Sequence, residues 1–327
     1  MIVVGIPVYH SLKTLGRTLD SLVCQTRKSF LTVICQDGDG EDYSSIIKEY
    51  ERRGLSISLI TKKENRGPGL ARQEILNRAI SKNIQYIMFC DSDDILQPRA
   101  VEILYDEAIK RNADIVCGDI IRTEKNGLDS YIASDGGSVT WLGGKIYKVD
   151  YLKKISLSFP KELFWNEDAY FNLVAFECSK KVYAIKEPLY LWQHNPNSIT
   201  RKQNKKETVK KGNAQYIHSQ AKALLKILFI NKNIKEDTLF KALENIYYAL
   251  MEQLFYNIDD WSWCPQVEDL RDNDYIQKLM TKENIEKYSK NIYTKNTYEK
   301  QGYVFPFSFE DFLKSFVIRR ASDGIYY

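Results

Sequence analysis

Over the first 125 or so residues, short β-rich apolar runs alternate with segments whose apolar residues fall on one helical face, and this alternation restricts the fold more than any other feature. The runs are IVVGIPVY (2–9), LTVICQD (31–37), SISLITK (56–62), YIMFCD (86–91) and DIVCGDIIRT (114–123). Between them, LARQEILNRAIS (70–81) repeats Ala71, Ile75 and Ala79 at helical spacing. PRAVEILYDEAIKR (98–111) does the same with Val101, Leu104, Tyr105 and Ala108, and Pro98 suits a first helical turn. Continuous apolar strands separated by helices predict a mostly parallel sheet with helices on both faces. In such sheets ligands bind beyond the carboxyl ends of the strands. Pro7-Val8-Tyr9-His10, Gln36-Asp37-Gly38-Asp39 and Asp91-Ser92-Asp93-Asp94 follow the first, second and fourth runs, so all three clusters are expected to converge on one crevice.

The stretch FCDSDD (89–94) sets three carboxylates at the end of an apolar run. Their repulsion calls for compensation, and a bound cation is the first candidate. A calcium loop starting at Asp91 fails, because Leu96 stands where the sharp turn needs glycine and Pro98 falls inside it. No GxGxxG follows the first run, and GGKI (143–146) lacks the spacing and the hydroxyl residue of a P-loop. Two aspartates one residue apart at a strand end instead suit Mn²⁺ or Mg²⁺, which complete their coordination with substrate phosphates and water. Capping of the following helix by Asp93 or Asp94 would account for one carboxylate but not for three.

At 327 residues the chain has room for one large domain or two, and its net charge of +4 does not argue for a nucleic-acid protein. The basic run RKQNKKETVKK (201–211) reads first as a solvated helix face, with contact to lipid headgroups, phosphate-bearing acceptors or nucleic acid as the alternative. The 22 tyrosines concentrate toward the C-terminal half, where NIYYALMEQLFYNIDDWSW (245–263) fits packing between helices better than an exposed groove. Six scattered cysteines without CxxC spacing predict reduced thiols in a cytoplasmic protein. MIVVGIPVYH reads as a core strand rather than a secretion signal. No apolar stretch reaches the roughly 18 residues a spanning helix needs, and Lys226 interrupts ALLKILFI (223–230). Any membrane contact is therefore expected to be peripheral, at the inner face.

Seven short motifs then occur in a fixed order: the IPVYH opening, CQDGDGED (35–42), NRGPGLARQ (65–73), the DSD segment at 91–93, GKIYK (144–148), NEDAYF (166–171) and YLWQHNPNSIT (190–200). In that order, from residue 1 to about 200, the chain resembles an inverting nucleotide-sugar glycosyltransferase of family 2 with the GT-A fold. The resemblance implies an α/β catalytic domain over 1–205, Rossmann-like, with nucleotide-sugar binding in 1–125 and the acceptor and catalytic part in 126–205. A mainly helical region over 206–327 would follow, serving acceptor binding or a homodimer contact.

The resemblance also implies roles for single residues. Pro7 and Tyr9 would line the base pocket, Asp37 would accept from the uracil ring, and Asn65 and Gly67 would shape the loop beside Arg72, whose fork would reach a base carbonyl or a phosphate. Asp91 and Ser92 would lie at the ribose, Asp93 would bind the metal, and His194 would approach the metal or the diphosphate. Asp168 would act as base, with Glu167 positioning sugar or acceptor and Phe164, Trp165 and Phe171 excluding water. Gln36 in place of the first of two acids, and Asp39 in place of a serine, leave the base preference open.

The activity implied is transfer of a hexose from a UDP-sugar to a hydroxyl on a glycan, a lipid-linked or a polymer acceptor, by default in surface polysaccharide synthesis. Two alternatives stand beside it. One is a catalytically silent nucleotide-sugar binding module. The other is a transferase acting on a phosphate-bearing polymer such as teichoic acid or modified DNA.

Overall fold

A computed structural model gives the structure of the protein and describes residues 1–123, 129–132, 141–195, 205–259, 261–290 and 306–317. The chain divides into two compact units, Met1–Ser198 and Ile199–Tyr327.

The first unit opens with β1 (Ile2–Val8), α1 (Leu12–Val23), β2 (Phe30–Asp37), α2 (Ser44–Arg52), β3 (Ile57–Lys62), α3 (Pro68–Ser81) and β4 (Tyr86–Phe89). It continues with β5 (Ile95–Leu96), α4 (Ala100–Lys110), β6 (Ile115–Thr123), β7 (Asp129–Ile132), β8 (Lys145–Lys148), α5 (Val149–Lys154), α6 (Glu167–Glu177) and β9 (Val182–Trp192). Among the described residues these strands form one sheet in the order β3-β2-β1-β4-β8-β6-β9-β5, with β7 on β6.

The run β3-β2-β1-β4 is parallel throughout, as its continuous apolar strands predict. Beyond it β8 inserts antiparallel between β4 and β6, while β9 lies parallel to β6 and antiparallel to β5.

Both faces of the sheet are covered. On one, Ile2, Val4, Ile6 and Val8 of β1 join Leu15, Leu19 and Leu22 of α1 and Val101 and Leu104 of α4 in one buried cluster. On the other, α3 packs on β1, β2 and β4. There Phe89 meets Tyr147, Phe159 and Phe171, and Phe159 stacks on Phe171 with ring centroids 4.3 Å apart. Buried aromatic area of this kind dominates core energetics. Pro98 lies two residues before α4, whose N-cap is Arg99, so the proline precedes the first turn instead of opening it.

The second unit is helical among the described residues: α7 (Lys205–Asn231), α8 (Glu236–Phe255), α9 (Cys264–Arg271), α10 (Asp274–Leu279), α11 (Lys282–Lys290) and α12 (Phe309–Lys314). Its aromatics pack between helices: Tyr247 and Tyr248 are buried, and Phe240 stacks on Tyr288 at 4.1 Å. Phe255 and Trp261, both exposed, are the exceptions in that stretch. Within the basic run, residues 201–204 lie outside the described residues; Lys210 and Lys211 are exposed beside buried Val209, as a solvated helix face requires. No helix among the described residues is long and apolar enough to cross a membrane. None of the six cysteines forms a disulfide, and Cys35, Cys90 and Cys117 are buried in the sheet.

Candidate active site

The turns that follow β1, β2 and β4 meet at the carboxyl edge of the parallel run. Ser11 Oγ lies 2.7 Å from Ser92 Oγ, and the backbone N–H of His10 donates to Asp39 Oδ2 at 2.8 Å. All three predicted clusters therefore face one crevice. Pro7 is half-buried at the end of β1, and Tyr9 is exposed with its ring 4.3 Å from that of His10.

The β2 turn divides its acids between two tasks. Asp37 is buried, and its carboxylate accepts from the backbone N–H groups of Arg66 (3.1 Å) and Gly67 (2.8 Å). Burial raises the Asp37 pKa, against the pull of those two donors. Gly67 also accepts no side chain of its own: φ is 89°, a Cβ would stand 2.7 Å from the Phe164 ring, and its N–H donates to Asn65 Oδ1 at 3.0 Å. Gly38 is needed for the same kind of reason, since a Cβ there would lie 2.2 Å from the backbone of Glu64.

Asp39 is the acid that stays at the surface of the crevice. It accepts from Gln36 Nε2 (2.5 Å), Tyr43 Oη (2.7 Å) and the backbone of His10 and Glu41. Burial pushes its pKa up, but the Gln36 and Tyr43 hydrogen bonds outweigh that and hold it below the usual carboxylate range. Gln36 thus takes the place of a second acid by donating to Asp39, and the two departures from the family pattern compensate each other. His10, Asp39 and Glu41 offer ligand atoms within 4.8 Å of one another, yet Asp39 already has four donors, so the group is satisfied internally.

The three carboxylates after β4 turn in three directions. Asp91 Oδ1 receives Arg72 Nη2 at 2.6 Å. Asp93 Oδ2 receives Asn195 Nδ2 at 2.7 Å, and among the described residues Asp93 makes no ion pair. Burial raises its pKa, against the pull of the Asn195 amide and of Arg17, whose Nη2 donates to the Asp93 backbone carbonyl at 2.7 Å. Asp94 is buried and belongs to the fold: Tyr190 Oη donates to its Oδ2 at 2.6 Å and the backbone N–H of Gln193 to its Oδ1 at 2.8 Å. Burial, then Asp91 and Asp93, push the Asp94 pKa well up. Sequence reasoning missed Asp94 and Tyr190 as a structural tie, because a run of acids does not say which way each one points.

His194 ends β9's extension with its backbone N–H on Thr123 Oγ1 at 2.7 Å. The neighbour that touches Asp93 is Asn195. The rest of that motif, 196–200, lies outside the described residues.

Glu167 and Asp168 open α6 after Asn166, whose left-handed backbone (φ 61°) turns the chain into the helix without a side-chain cap. Carboxylates in the first turn suit the helix dipole. Glu167 is buried and bonded to Arg72 Nη1 at 2.5 Å, so one guanidinium bridges Asp91 and Glu167. Arg72 is 6% exposed and both of its terminal nitrogens are held by carboxylates. Asp168 is only partly covered and accepts from the backbone N–H of Ala169 at 2.8 Å. Burial raises the pKa of both acids, and of the two only Asp168 is partly exposed.

Hard oxygen donors at Asp91 and Asp93, the latter making no ion pair among the described residues, have the chemistry that Mn²⁺ or Mg²⁺ requires. An unpaired acid with a raised pKa on a helix facing that rim has the chemistry of a general base.

Comparison with known proteins gives these features a family. A family model described as Glycosyl transferase family 2 matches residues 3–162. Glycosyltransferase GlyA of Streptococcus pneumoniae is 29% identical over 227 residues, 61% of this chain and 31% of that protein. Poly(ribitol-phosphate) beta-glucosyltransferase of Bacillus spizizenii is 30% identical over 190 residues, 54% of this chain and 30% of that protein. The chain thus spans about a third of the length of each of these two relatives. Among solved structures, S. aureus TarS 1–349 in complex with UDP-GlcNAc superposes with a TM-score of 0.66 at 16% identity, covering 97% of this chain and 90% of that one. The fold is accordingly GT-A with a helical region after it.

Proposed function

The N-terminal unit of this chain belongs to glycosyl transferase family 2, and we propose that the protein is a metal-dependent inverting transferase moving a hexose from a UDP-sugar to an acceptor hydroxyl. One observation carries the reading: the Asp91–Asp93 rim and the Asp168 carboxylate face the same crevice and are tied together by Arg72 through Asp91 and Glu167.

Asp93, with Asp91 beside it, would hold Mn²⁺ or Mg²⁺, which when bound neutralises charge growing on the diphosphate leaving group. Asp168 removes the proton of the acceptor hydroxyl as that oxygen attacks the anomeric carbon on the face opposite the diphosphate. The new C–O bond forms as the bond to UDP breaks, the proton ends on Asp168, and the configuration inverts. Glu167 cannot share the proton work while Arg72 holds it; it fixes the helix start that aims Asp168. Tyr9 and the Gln36–Asp39 pair border the nucleobase end of the crevice. Base selection there would rest on half-buried Asp39 and the Gln36 and Tyr43 side chains bonded to it, because Asp37 is turned onto the 66–67 backbone.

The poly(ribitol-phosphate) transferase among the relatives, and the UDP-GlcNAc complex of the TarS neighbour, favour a UDP-linked donor and a polyol-phosphate or similar polymer acceptor. Retention of Asp93 and Asp168 argues against a silent binding module. A screen of UDP-glucose, UDP-N-acetylglucosamine and GDP-mannose for slow donor hydrolysis with Mn²⁺ tests the reading without an acceptor. UDP release from one UDP-sugar supports it, and tight UDP binding with no turnover on any donor would favour the module.

A further inference from the structure

The GKIYK motif contains one group with no part in these steps, the Lys145 ammonium. Lys145 is 2% exposed on β8. Lysines are almost never so buried unless paired. Among the described residues its one hydrogen bond goes to the Trp141 carbonyl, which leaves two of its three N–H donors unused.

That carbonyl locates the ammonium. Asn172 Nδ2 donates to the same oxygen at 2.9 Å, and Asn172 stands in α6 four residues after Asp168, one turn along the same face. Tyr147, two residues from Lys145 and so on the same face of β8, donates to Asn172 Oδ1 at 2.6 Å and packs against Phe171. The strand therefore delivers Lys145 beside Asn172, on the turn of α6 that follows Asp168.

Several groups face Asp168: Arg72 from α3, Asp91 from the β4 turn, Glu167 from its own helix, Lys145 and Tyr147 from β8, with Cys117 of β6 next to Lys145. Burial lowers the Lys145 pKa, while Cys117 and Asp168 support its charged form. Arg72 opposes the rise in the Asp168 pKa but is shared with Asp91 and Glu167, and Lys145 is the second cation on that side.

We propose that Lys145 is a positioning residue for the base: its buried ammonium supplies the positive field that keeps the Asp168 carboxylate ionised and ready to take the acceptor proton. The assignment rests on the transferase reading above. Its test compares Lys145→Gln, which keeps a donor for the Trp141 carbonyl and loses the charge, with Lys145→Arg, which keeps the charge. Hydrolysis of UDP-glucose and UDP-N-acetylglucosamine is followed from pH 5 to 9 with Mn²⁺, alongside UDP calorimetry.

Lys145→Gln is expected to bind UDP normally and to move the acid limb of the rate profile up by about one pH unit, a roughly tenfold loss at the acid end that is recovered at high pH. Lys145→Arg leaves the limb in place. A uniform loss in Lys145→Gln with an unshifted limb would overturn the proposal, as would a limb displaced upward in Lys145→Arg; Lys145→Met, which also removes the charge, carries the same prediction if the glutamine variant does not fold. UDP release from neither donor by the unmutated chain would instead overturn the transferase reading itself.

Discussion

Arg72 Nη1 lies 2.5 Å from Glu167 Oε1 across 95 residues of sequence, and that contact joins α3 to the start of the helix that carries Asp168. The other arm of the fork holds Asp91. A guanidinium is suited to this because its planar fork serves two carboxylates at once and stays charged when buried. Two helices, α3 and α6, and the turn after β4, which share little sequence proximity, are thereby kept in register.

Arg72→Ala removes the bridge and leaves Glu167 buried without a partner. Breaking a buried pair from one side costs about 3–5 kcal/mol, so urea denaturation should show a loss of that order. Arg72→Lys should fall between, since a single ammonium cannot span both carboxylates.

Asp168→Asn should separate stability from activity. UDP release should fall by about 10²–10⁴, the usual share of a general base. The folded state should gain stability at neutral pH, because burial raises the Asp168 pKa and the amide removes that unfavourable charge. Thermal melts of the two proteins at pH 7.5 and pH 5 check this: the gain should shrink at the lower pH, where Asp168 is protonated.

The same shift sets a pH dependence. Burial pushes Asp168 up to about 6, so the base is protonated below that pH and ionised above it. Turnover should therefore rise with pH through about 6. The contribution of this group to stability runs the other way: it is present below the ordinary carboxylate range and is lost as pH rises through the folded value. Initial rates and melting curves over one pH series should show the opposite trends.

Tyr190→Phe deletes the donor to Asp94 and the acceptor of the Asp91 N–H, bonds of 2.6 and 3.2 Å. Leaving buried polar groups unmatched costs about 1–3 kcal/mol. The variant should melt earlier and bind Mn²⁺ more weakly by electron paramagnetic resonance titration, since the loop bearing Asp91 and Asp93 loses its tie to β9. Equal Mn²⁺ affinity in both proteins would show that the tie serves the fold alone.

Much of this was legible in the residues. Continuous apolar runs marked the parallel half of the sheet because both of its faces are covered, and the turns after them marked the crevice. The acidic stretch at 91–94 stands out by charge, and the pair at 167–168 through the NEDAYF motif of the family resemblance. What stayed hidden depends on direction. Asp37 and Asp39 are two residues apart, yet one turns onto the 66–67 backbone and the other to the surface. The carboxylate partners of Arg72, Asp91 and Glu167, are brought to it only by the packing of α3 and α6 against the sheet. Lys145 sat in a motif without visible chemistry because burial, which makes its charge matter, is a property of the folded chain.

Calorimetric titration with UDP, in the presence and absence of Mn²⁺, on the unmutated chain and on Asp93→Ala, tests the central claim most directly. The account predicts that Mn²⁺ tightens UDP binding by at least tenfold in the unmutated chain and not at all in Asp93→Ala. The same Mn²⁺-dependent tightening in both proteins would contradict it.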